Sequence, residues 1–197
     1  MKRGNTKEKI LKEGRALIQQ HGYNGFSFQD IADILKIKKP SLYDHFASKE
    51  KLVIAILQNY GNMFDEWSQS VHSLSPIEKI RKVFDVFYAF TSDKRKVCPV
   101  LALTTDTHVL SREIQKSMRQ FVEKWLLWLE QQIVEGQEIG EIRKDFDPKA
   151  LSTFIYSQGM GSQFQARIKN DASLTLDSGD MIVTLIRTHS VSNKKSI

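Results

Sequence analysis

The chain has 197 residues, a normal apolar fraction of 41% and a single cysteine, which allow a sizeable core and exclude a disulfide framework within the chain. The formal charge of +6 is uneven: residues 1–52 hold 11 Lys and Arg against 6 Asp and Glu, whereas residues 53–197 hold 18 against 17. Localised positive charge favours a polyanionic partner, and no basic helix with a strong aromatic face supports a membrane surface instead. We find no signal peptide or spanning segment and expect a cytoplasmic protein.

Periodic apolar residues, without alternating strand patterns of useful length, predict an all-α fold of about nine helices. Residues 1–5 are predicted to be a flexible basic arm. The first helix is predicted from Thr6 to His21, with Asn5 as N-cap and Glu8 at its third position. Gly22 suits the end of this helix, because a glycine readily adopts the left-handed conformation found there.

Two short helices joined by a tight turn are predicted next. The first runs from Phe28 to Leu35, with Ser27 as N-cap and Asp30 at the spacing of a capping box. A turn over residues 36–38 leads to a second helix, also roughly eight residues long, in which Pro40 occupies the opening turn. Helices this short do not stand alone, so we expect neighbouring helices to hold them as a helix-turn-helix unit.

The outward face of this unit is polar and basic. Leu42 and Phe46, four residues apart, are predicted to point inward and to leave the side chains between them exposed. Cations suit phosphate oxygens and short polar side chains suit base edges, so this face fits a DNA major groove. The alternative is an ordinary solvated helical hairpin. The predicted DNA-binding residues are Ser27, Gln29, Lys38, Lys39, Pro40, Ser41, Tyr43, His45 and Lys49.

The stretch from Gly22 to Leu52 contains, in order, Gly22-Tyr23, Ile31-Ala32, Leu42-Tyr43-x-His45-Phe46 and Ser48-Lys49-Glu50-x-Leu52. In order and spacing, these features resemble the DNA-binding domain of the TetR/AcrR family of bacterial transcriptional regulators. This family usually has Gly-Val-Ser before its recognition helix, where this chain has Lys36-Ile37-Lys38. The resemblance implies a helix-turn-helix domain over residues 4–64, with its recognition region at about 27–46, and a ligand-binding and dimerisation domain over 65–190.

Helix 4 is predicted to begin after Ser48 and to continue through Trp67, beyond the small head, which makes it the connector to the second domain. The later helices follow N-cap and proline signals. They are predicted from Pro76 to the basic run at 93–96, from Cys98 to about Thr107, from Ser111 to Glu135, from Pro148 to Lys169 and from Ser178 to His189, with a loop over 169–176 and a disordered tail from Ser190.

In the family, the last two helices pair with their symmetry mates as a four-helix bundle, and helices 8 and 9 fit that role here. The two glycines among the predicted contacts would let backbones approach closely; the alternative is that they pack within one subunit. A homodimer would place its recognition helices about 34–36 Å apart, or a multiple of that, on a palindromic operator in double-stranded DNA. The predicted dimer-interface residues are Phe154, Gly159, Gly161, Met181 and Leu185.

The resemblance also implies a small-molecule effector bound among helices 4 to 8. Aromatic walls suit a small apolar or aromatic effector, whereas the alternative is that these side chains simply form the core. Tyr156, Gln158 and His108 are candidate polar anchors. The predicted ligand-binding residues are Trp67, Phe87, Phe90, Cys98, Trp125, Trp128 and Tyr156.

Cys98 has a second interpretation. It follows Lys94-Arg95-Lys96, and nearby cations make a thiol more reactive, so a sensor of oxidants or electrophiles is an alternative to a buried apolar cysteine. Enzyme sites and cofactors are not indicated, because the histidines show no metal-ligand spacing and no glycine-rich phosphate loop follows a strand. We interpret the chain as a ligand-responsive repressor. The competing hypothesis is a helical small-molecule-binding protein whose basic head binds DNA only weakly.

Overall fold

The computed structural model describes residues 3–93 and 96–188. Predictions for the first two residues of the arm, for Lys94 and Arg95, and for the chain from His189 onward lie outside this range. The described residues contain a single β contact, an isolated antiparallel bridge between Ile142 and Arg187, and are otherwise helical or irregular. The predicted all-α fold is therefore confirmed.

Nine α-helices lie within the described residues, and a 3₁₀ turn at Thr104–Asp106 follows the sixth. The helices are α1 (Arg3–His21), α2 (Phe28–Leu35), α3 (Pro40–Tyr43), α4 (Lys49–Ser70), α5 (Pro76–Ser92), α6 (Pro99–Leu103), α7 (Arg112–Glu138), α8 (Pro148–Lys169) and α9 (Ser173–Ile186).

Several helices begin where a capping side chain precedes them. The Ser27 hydroxyl accepts a hydrogen bond from the backbone N–H of Asp30, and the Asp30 carboxylate accepts one from the backbone N–H of Ser27 at 2.7 Å. Ser75 and Glu78 form the same capping box at α5. These bonds satisfy N–H groups that the first helical turn leaves without partners. Single caps are provided by Ser48 at α4, Ser111 at α7 and Asp147 at α8.

Two helices of the head differ from the prediction. α1 begins at Arg3, so Asn5 lies within the helix instead of capping it. α3 has four residues rather than about eight and ends at Tyr43. Beyond α3, the N–H of Phe46 donates to the carbonyl oxygen of Leu42 at 2.8 Å, so one further turn follows the helix, and the Phe46 ring is buried in the core.

Two helices of the larger domain also differ. α7 runs to Glu138, past its predicted end at Glu135, and includes Gly136, where a Cβ would lie 2.5 Å from the Ile142 side chain. α9 begins at Ser173, inside the loop predicted over 169–176. The loop is short because Asn170 adopts a left-handed conformation, with φ of 55°, that ends α8 and reverses the chain at once.

The helices form a small head and a larger bundle that share α4. In the head, α1 packs against α2 and α4, and Ile10, Ile31 and Leu52 are fully buried. α4 continues into the bundle, where it packs against α7, and the predicted boundary at residue 64 falls within it. α7 in turn packs against α5 and α8, with α9 against both of these. None of the described helices has the length and apolar character needed to cross a bilayer.

Candidate nucleic-acid interface and effector cavity

The turn between α2 and α3 uses a lysine in a conformation that favours glycine. Lys36 has φ of 53° and ψ of 45°, in the left-handed region. Its N–H donates to the carbonyl oxygen of Asp33 at 3.2 Å, and the N–H of Ile37 donates to that of Ala32 at 3.0 Å. A residue with a Cβ in this region costs about 1–2 kcal/mol. The turn that the family usually makes with glycine therefore forms here with a cation.

α3 presents one side to the core and the other to solvent. Leu42 is fully buried and Phe46 is 5% exposed, whereas Tyr43 is 53% exposed. The Tyr43 ring packs on Phe28, with ring centroids 5.0 Å apart, which holds the ring in place at the surface of the head. The predicted orientation of this segment, with Tyr43 outward and Leu42 and Phe46 inward, is confirmed.

The cations beside α3 are exposed. Lys36, Lys38 and Lys39 lie on the surface, and no carboxylate of the described residues forms an ion pair with them. Pro40 is exposed next to them, and Ser41 on α3 is half-buried, as is His45 after it. This face therefore combines uncompensated positive charge with short polar side chains and a tyrosine, as contacts with phosphates and base edges require.

Ser27 and Gln29 are exposed but already hydrogen-bonded within α2. The Ser27 hydroxyl donates to the Asp30 carboxylate at 2.7 Å, and the Gln29 amide donates to Asp33 at 2.7 Å. The bonds from Ser27 stabilise the ionised form of Asp30 and so lower the pKa of its carboxyl. Both side chains thus order α2 itself, whether or not they also contact DNA.

Lys49, one of the predicted DNA-binding residues, has partners inside the head. Its ammonium donates to the carbonyl oxygen of Phe26 and lies over the Phe26 and Tyr23 rings, 4.3 Å and 4.6 Å from their centroids. Burial lowers the Lys49 pKa, while Asp106 and Asp30 act in the opposite direction. Lys49 therefore ties the start of α4 to the segment before α2, because its cation has partners there already.

Asp106, just after α6, joins the bundle to the head. Its carboxylate accepts a hydrogen bond from the backbone N–H of Tyr23 at 2.8 Å and one from the Asn24 side chain at 2.8 Å. Gly22 has φ of 73°, and a Cβ there would lie 2.8 Å from this carboxylate, so the turn after α1 depends on glycine. No motif in the sequence indicated this joint, because its partners are 82 and 83 residues apart.

Two further contacts connect the head with the bundle. The Arg167 guanidinium on α8 donates to the carbonyl oxygen of Gln20 at 2.6 Å. Lys51 on α4 forms an ion pair with Glu113 on α7 at 2.8 Å, between exposed side chains. An exposed pair of this kind contributes about 0–1 kcal/mol, so the partly buried joint around Asp106 and the shared helix α4 matter more.

A cavity of about 170 Å³ opens between α4, α5 and α7. None of its lining residues carries a charged side chain. A neighbouring groove of about 300 Å³ is lined mainly by polar side chains, which makes it the weaker site for an apolar ligand. The predicted ligand-binding residues Trp67, Phe90 and Trp125 line the aromatic cavity, together with Tyr60, Met63, Phe64, Val86 and Phe121.

The other aromatic residues predicted to bind a ligand lie behind the residues that line the cavity. The rings of Phe87 and Tyr156 are 5.9 Å and 6.4 Å from Trp125, and the ring of Trp128 is 5.1 Å from Trp67. These three residues belong to the core around the cavity and do not line it. His108 and Gln158, the other candidate anchors, are exposed and do not line the cavity. The described residues contain no cluster of His, Cys, Asp and Glu able to hold a metal ion.

Cys98 is buried beside the aromatic cluster, with 2% of its surface exposed. The Tyr60 hydroxyl donates to its sulfur at 4.0 Å, and its backbone N–H donates to the Gln163 side chain at 2.7 Å. Burial raises the pKa of the Cys98 thiol and also those of the Tyr60 and Tyr156 phenols. A buried neutral thiol reacts slowly, so these contacts favour Cys98 as part of the core over a redox sensor.

α8 and α9 share an exposed apolar surface. Phe154, Phe164 and Ile168 on α8 are 47%, 60% and 68% exposed, and Met181 and Leu185 on α9 are 68% and 42% exposed. The three α8 residues follow one another at spacings of ten and four, which places them on one side of the helix. Exposed apolar side chains grouped in this way mark an interaction surface. Phe164 and Ile168 add to the residues predicted for a dimer interface.

The two glycines predicted for that interface differ. Gly159 is buried against α5, where a Cβ would overlap the Phe87 ring, with ring atom Cδ2 at 2.8 Å. Gly161 is exposed, and a Cβ there would have nothing within 4 Å. Gly159 therefore serves the approach of α8 to α5 within one subunit, contrary to its assignment to the dimer interface, whereas Gly161 lies on the exposed side.

Two family models match most of the chain. The model for bacterial regulatory proteins of the tetR family matches residues 10–56, and the model for the C-terminal domain of tetracyclin repressor-like proteins matches residues 76–176. The first covers the head from α1 into α4, and the second runs from α5 into α9. The two matches lie on either side of the predicted boundary at residue 64.

Individual relatives are similar over nearly their whole length. The chain is 25% identical over 173 residues to the HTH-type transcriptional repressor DhaR of Mycobacterium sp. (strain GP1), with 87% of each covered. A TetR transcriptional regulator from Legionella pneumophila has a crystal structure with a TM-score of 0.83 and 30% identity, over 95% of this chain and 100% of that one. A TetR-family regulator from Agrobacterium tumefaciens has a TM-score of 0.88 at 22% identity, over 94% and 99%.

Proposed function

We propose that this chain, a member of the TetR family of bacterial regulatory proteins, is a ligand-responsive repressor that binds a palindromic operator as a homodimer. Regulators of this family bind DNA, dimerise and bind small-molecule effectors, and the relative DhaR is a transcriptional repressor. The cytoplasmic location expected from the sequence belongs to the same proposal. The effector binds in the aromatic cavity and releases the operator.

The single observation that supports DNA binding most is the orientation of α3. Tyr43 lies outward between exposed lysines while its neighbours Leu42 and Phe46 anchor the segment in the core. In this proposal Lys39 and Tyr43 hold phosphate oxygens, because a cation and a phenol donate hydrogen bonds there without regard to sequence. Lys38 and Ser41 reach base edges and supply the specificity, with Ser27 and Gln29 at the adjoining end of α2.

The test of this face removes one hydroxyl at a time. Tyr43→Phe keeps the ring that packs on Phe28 and deletes only the group assigned to phosphate, so operator affinity in a gel-shift assay should fall about tenfold. Tyr88→Phe is the matched control, since Tyr88 is exposed on α5, away from the head. Equal affinities for wild type and Tyr43→Phe would remove Tyr43 from the interface.

Salt dependence separates a specific regulator from an incidental basic surface. Each phosphate contact contributes about −0.9 to the slope of log K against log salt, so Lys39→Gln should make the slope shallower by about one. A specific regulator should also select one palindrome from a random library, whereas a basic surface alone would bind all sequences alike. Selection of no sequence would favour the competing hypothesis of a small-molecule-binding protein.

The homodimer uses the exposed apolar surface of α8 and α9. A carboxylate placed there would be buried without a partner, so Met181→Glu and Ile168→Glu should each convert the dimer to a monomer in sedimentation velocity. Leu127→Glu on α7 is the control, because Leu127 is as exposed as Phe164 but lies elsewhere. The proposed interface is wrong if only the control variant dissociates.

A response to ligand requires that the ligand prefer one position of the heads. A preference of about 3 kcal/mol would change operator affinity roughly a hundredfold. The contacts that could transmit it are α4, which extends from the head to the cavity wall, and the Asp106 joint at the end of α1. Both α4 and the Asp106 joint contact the head directly, so a change of packing around the cavity would change the position of α3.

A further inference from the structure

A cation of the head stands at the edge of the aromatic cavity. Arg15 lies on α1, and its guanidinium contacts the sulfur of Met63, one of the residues that line the cavity. Its charge is also close enough to the Tyr60 phenol, another lining residue, to oppose the rise in the Tyr60 pKa that burial causes. The cavity therefore has apolar walls and one guanidinium beside them.

The positive charge of Arg15 has no anionic partner among residues 3–93 and 96–188. No described carboxylate forms an ion pair with it, although the side chain is half-buried. Lys124 differs from Arg15 in this respect. Its ammonium also lies near a residue that lines the cavity, 5.8 Å from the Phe64 ring centroid, but it forms an ion pair with Asp65 at 2.6 Å. A guanidinium without a counter-ion beside an apolar cavity gains from a carboxylate, which it binds through two parallel hydrogen bonds.

The size of the cavity limits the apolar part of a ligand. An apolar cavity of about 150 Å³ in another protein holds one benzene molecule, so the volume here fits one aromatic ring with a short substituent. Rings of Trp67, Phe64 and Trp125 line that space and pack on one another, with centroids 4.5 to 5.8 Å apart. Offset and tilted contacts with such rings favour a flat aromatic guest over an aliphatic chain.

We propose that the effector is a small aromatic acid whose ring occupies the cavity and whose carboxylate pairs with Arg15. The proposal rests on the function inferred above, in which this cavity is the effector site. It also explains how a ligand could act on the heads. Arg15 belongs to α1 of the head, whereas Trp125 belongs to α7 of the bundle, so such an acid contacts both units and binds best in one arrangement of them.

The test compares two probes that differ in charge alone. Phenylacetate and phenylacetamide have nearly the same shape, and binding is followed by intrinsic fluorescence, because all three tryptophans lie in or beside the cavity. At neutral pH the purified full-length protein should bind phenylacetate at least about tenfold more tightly than phenylacetamide, since a hydrogen bond to a charged group contributes about 1.5–3 kcal/mol.

Variants then assign the difference to one side chain. Arg15→Gln should weaken phenylacetate about tenfold to a hundredfold, to the level of the amide, and leave phenylacetamide within about twofold. Arg15→Lys should restore part of the difference, because it keeps the charge but not the paired hydrogen bonds. Lys124→Gln is the control and should leave the ratio between the two probes unchanged, since that charge is already paired.

Each outcome decides the matter. If the amide binds as tightly as the acid, or if Arg15→Gln weakens both probes equally, the aromatic acid is wrong while the cavity stands as an effector site. If neither probe changes the fluorescence at millimolar concentration, the aromatic acid is also wrong. In that case, a gel shift with the selected operator shows whether the DNA-binding part of the proposed function survives independently.

Discussion

Gly159 and Gly161 lie two residues apart on α8, and the same substitution should have opposite effects on them. Gly159→Ala places a methyl group against the Phe87 ring, whose Cδ2 and Cζ atoms would be 2.8 Å and 3.3 Å away, with Cε2 closer still. Phe87 is 1% exposed and cannot swing into solvent. Gly161→Ala places its methyl group in open space, with no atom within 4 Å.

The magnitudes follow from two opposing effects. Overpacking of a close-packed site costs about 1–3 kcal/mol, and overlap with three ring atoms places Gly159→Ala near the upper end. Alanine in a helix gains about 0.5–1 kcal/mol over glycine, which leaves a net loss of about 2 kcal/mol. For a chain of this length that loss lowers the melting temperature by about 4–8 °C. Gly161→Ala should raise it by about 1–4 °C, because only the helix gain applies.

Thermal unfolding by far-ultraviolet circular dichroism measures both variants, at one fixed protein concentration because dimerisation stabilises the folded state. A Gly159→Ala protein that melts at or above the wild-type temperature would refute the packing of α8 on α5 through this glycine. A loss for Gly161→Ala that grows on dilution would instead place Gly161 in a close dimer contact, where the methyl group meets the partner subunit.

The remaining predictions concern the joint, the cap and the cysteine. Asp106→Ala removes the acceptor for the N–H of Tyr23, so the Tyr23 amide should exchange with deuterium at least about tenfold faster, whereas Thr105→Ala should leave it unchanged. In urea unfolding, Ser27→Ala should lower the free energy of unfolding by about 1 kcal/mol, because the α2 cap is lost. The control Gln29→Ala should lower it by less than about 0.5 kcal/mol. Similar losses for the two variants would contradict the role of the capping box. Cys98 should resist iodoacetamide in the native protein and react rapidly in denaturant, because burial raises its pKa and hides the sulfur; fast native alkylation would revive the sensor hypothesis.

The features that the sequence predicted well are those set by neighbours along the chain. The cap at Ser27, the helix starts at Pro40 and Pro76 and the inward side of α3 depend on residues only a few positions apart, which helical geometry relates. Of the aromatic residues predicted to bind a ligand, Trp67, Phe90 and Trp125 line the cavity. The sequence pattern could not distinguish the aromatic residues that line the cavity from those buried in the core, because both groups consist of the same residue types.

The features that it missed depend on contacts across the chain. Lys49 was predicted to bind DNA because it is a cation near the recognition region, and the sequence did not indicate that its ammonium lies over the rings of Phe26 and Tyr23. Gly159 was assigned to another subunit because sequence shows that a close approach is possible but not which element approaches. Asp106 and Arg15 belong to no motif, and their importance comes from the position of α1 against the bundle.

The length of α4 has a mechanical consequence for any ligand that enters the cavity. From Trp67 at the cavity to Lys49 at the head is 18 residues of one helix, about 27 Å at 1.5 Å per residue, so a tilt of about 5° at one end displaces the other by roughly 2 Å. A two-fold axis would apply that displacement to both heads in opposite senses. A side-chain adjustment too small to change the fold would then move each DNA-binding head by more than the range of donor–acceptor distances that a hydrogen bond allows.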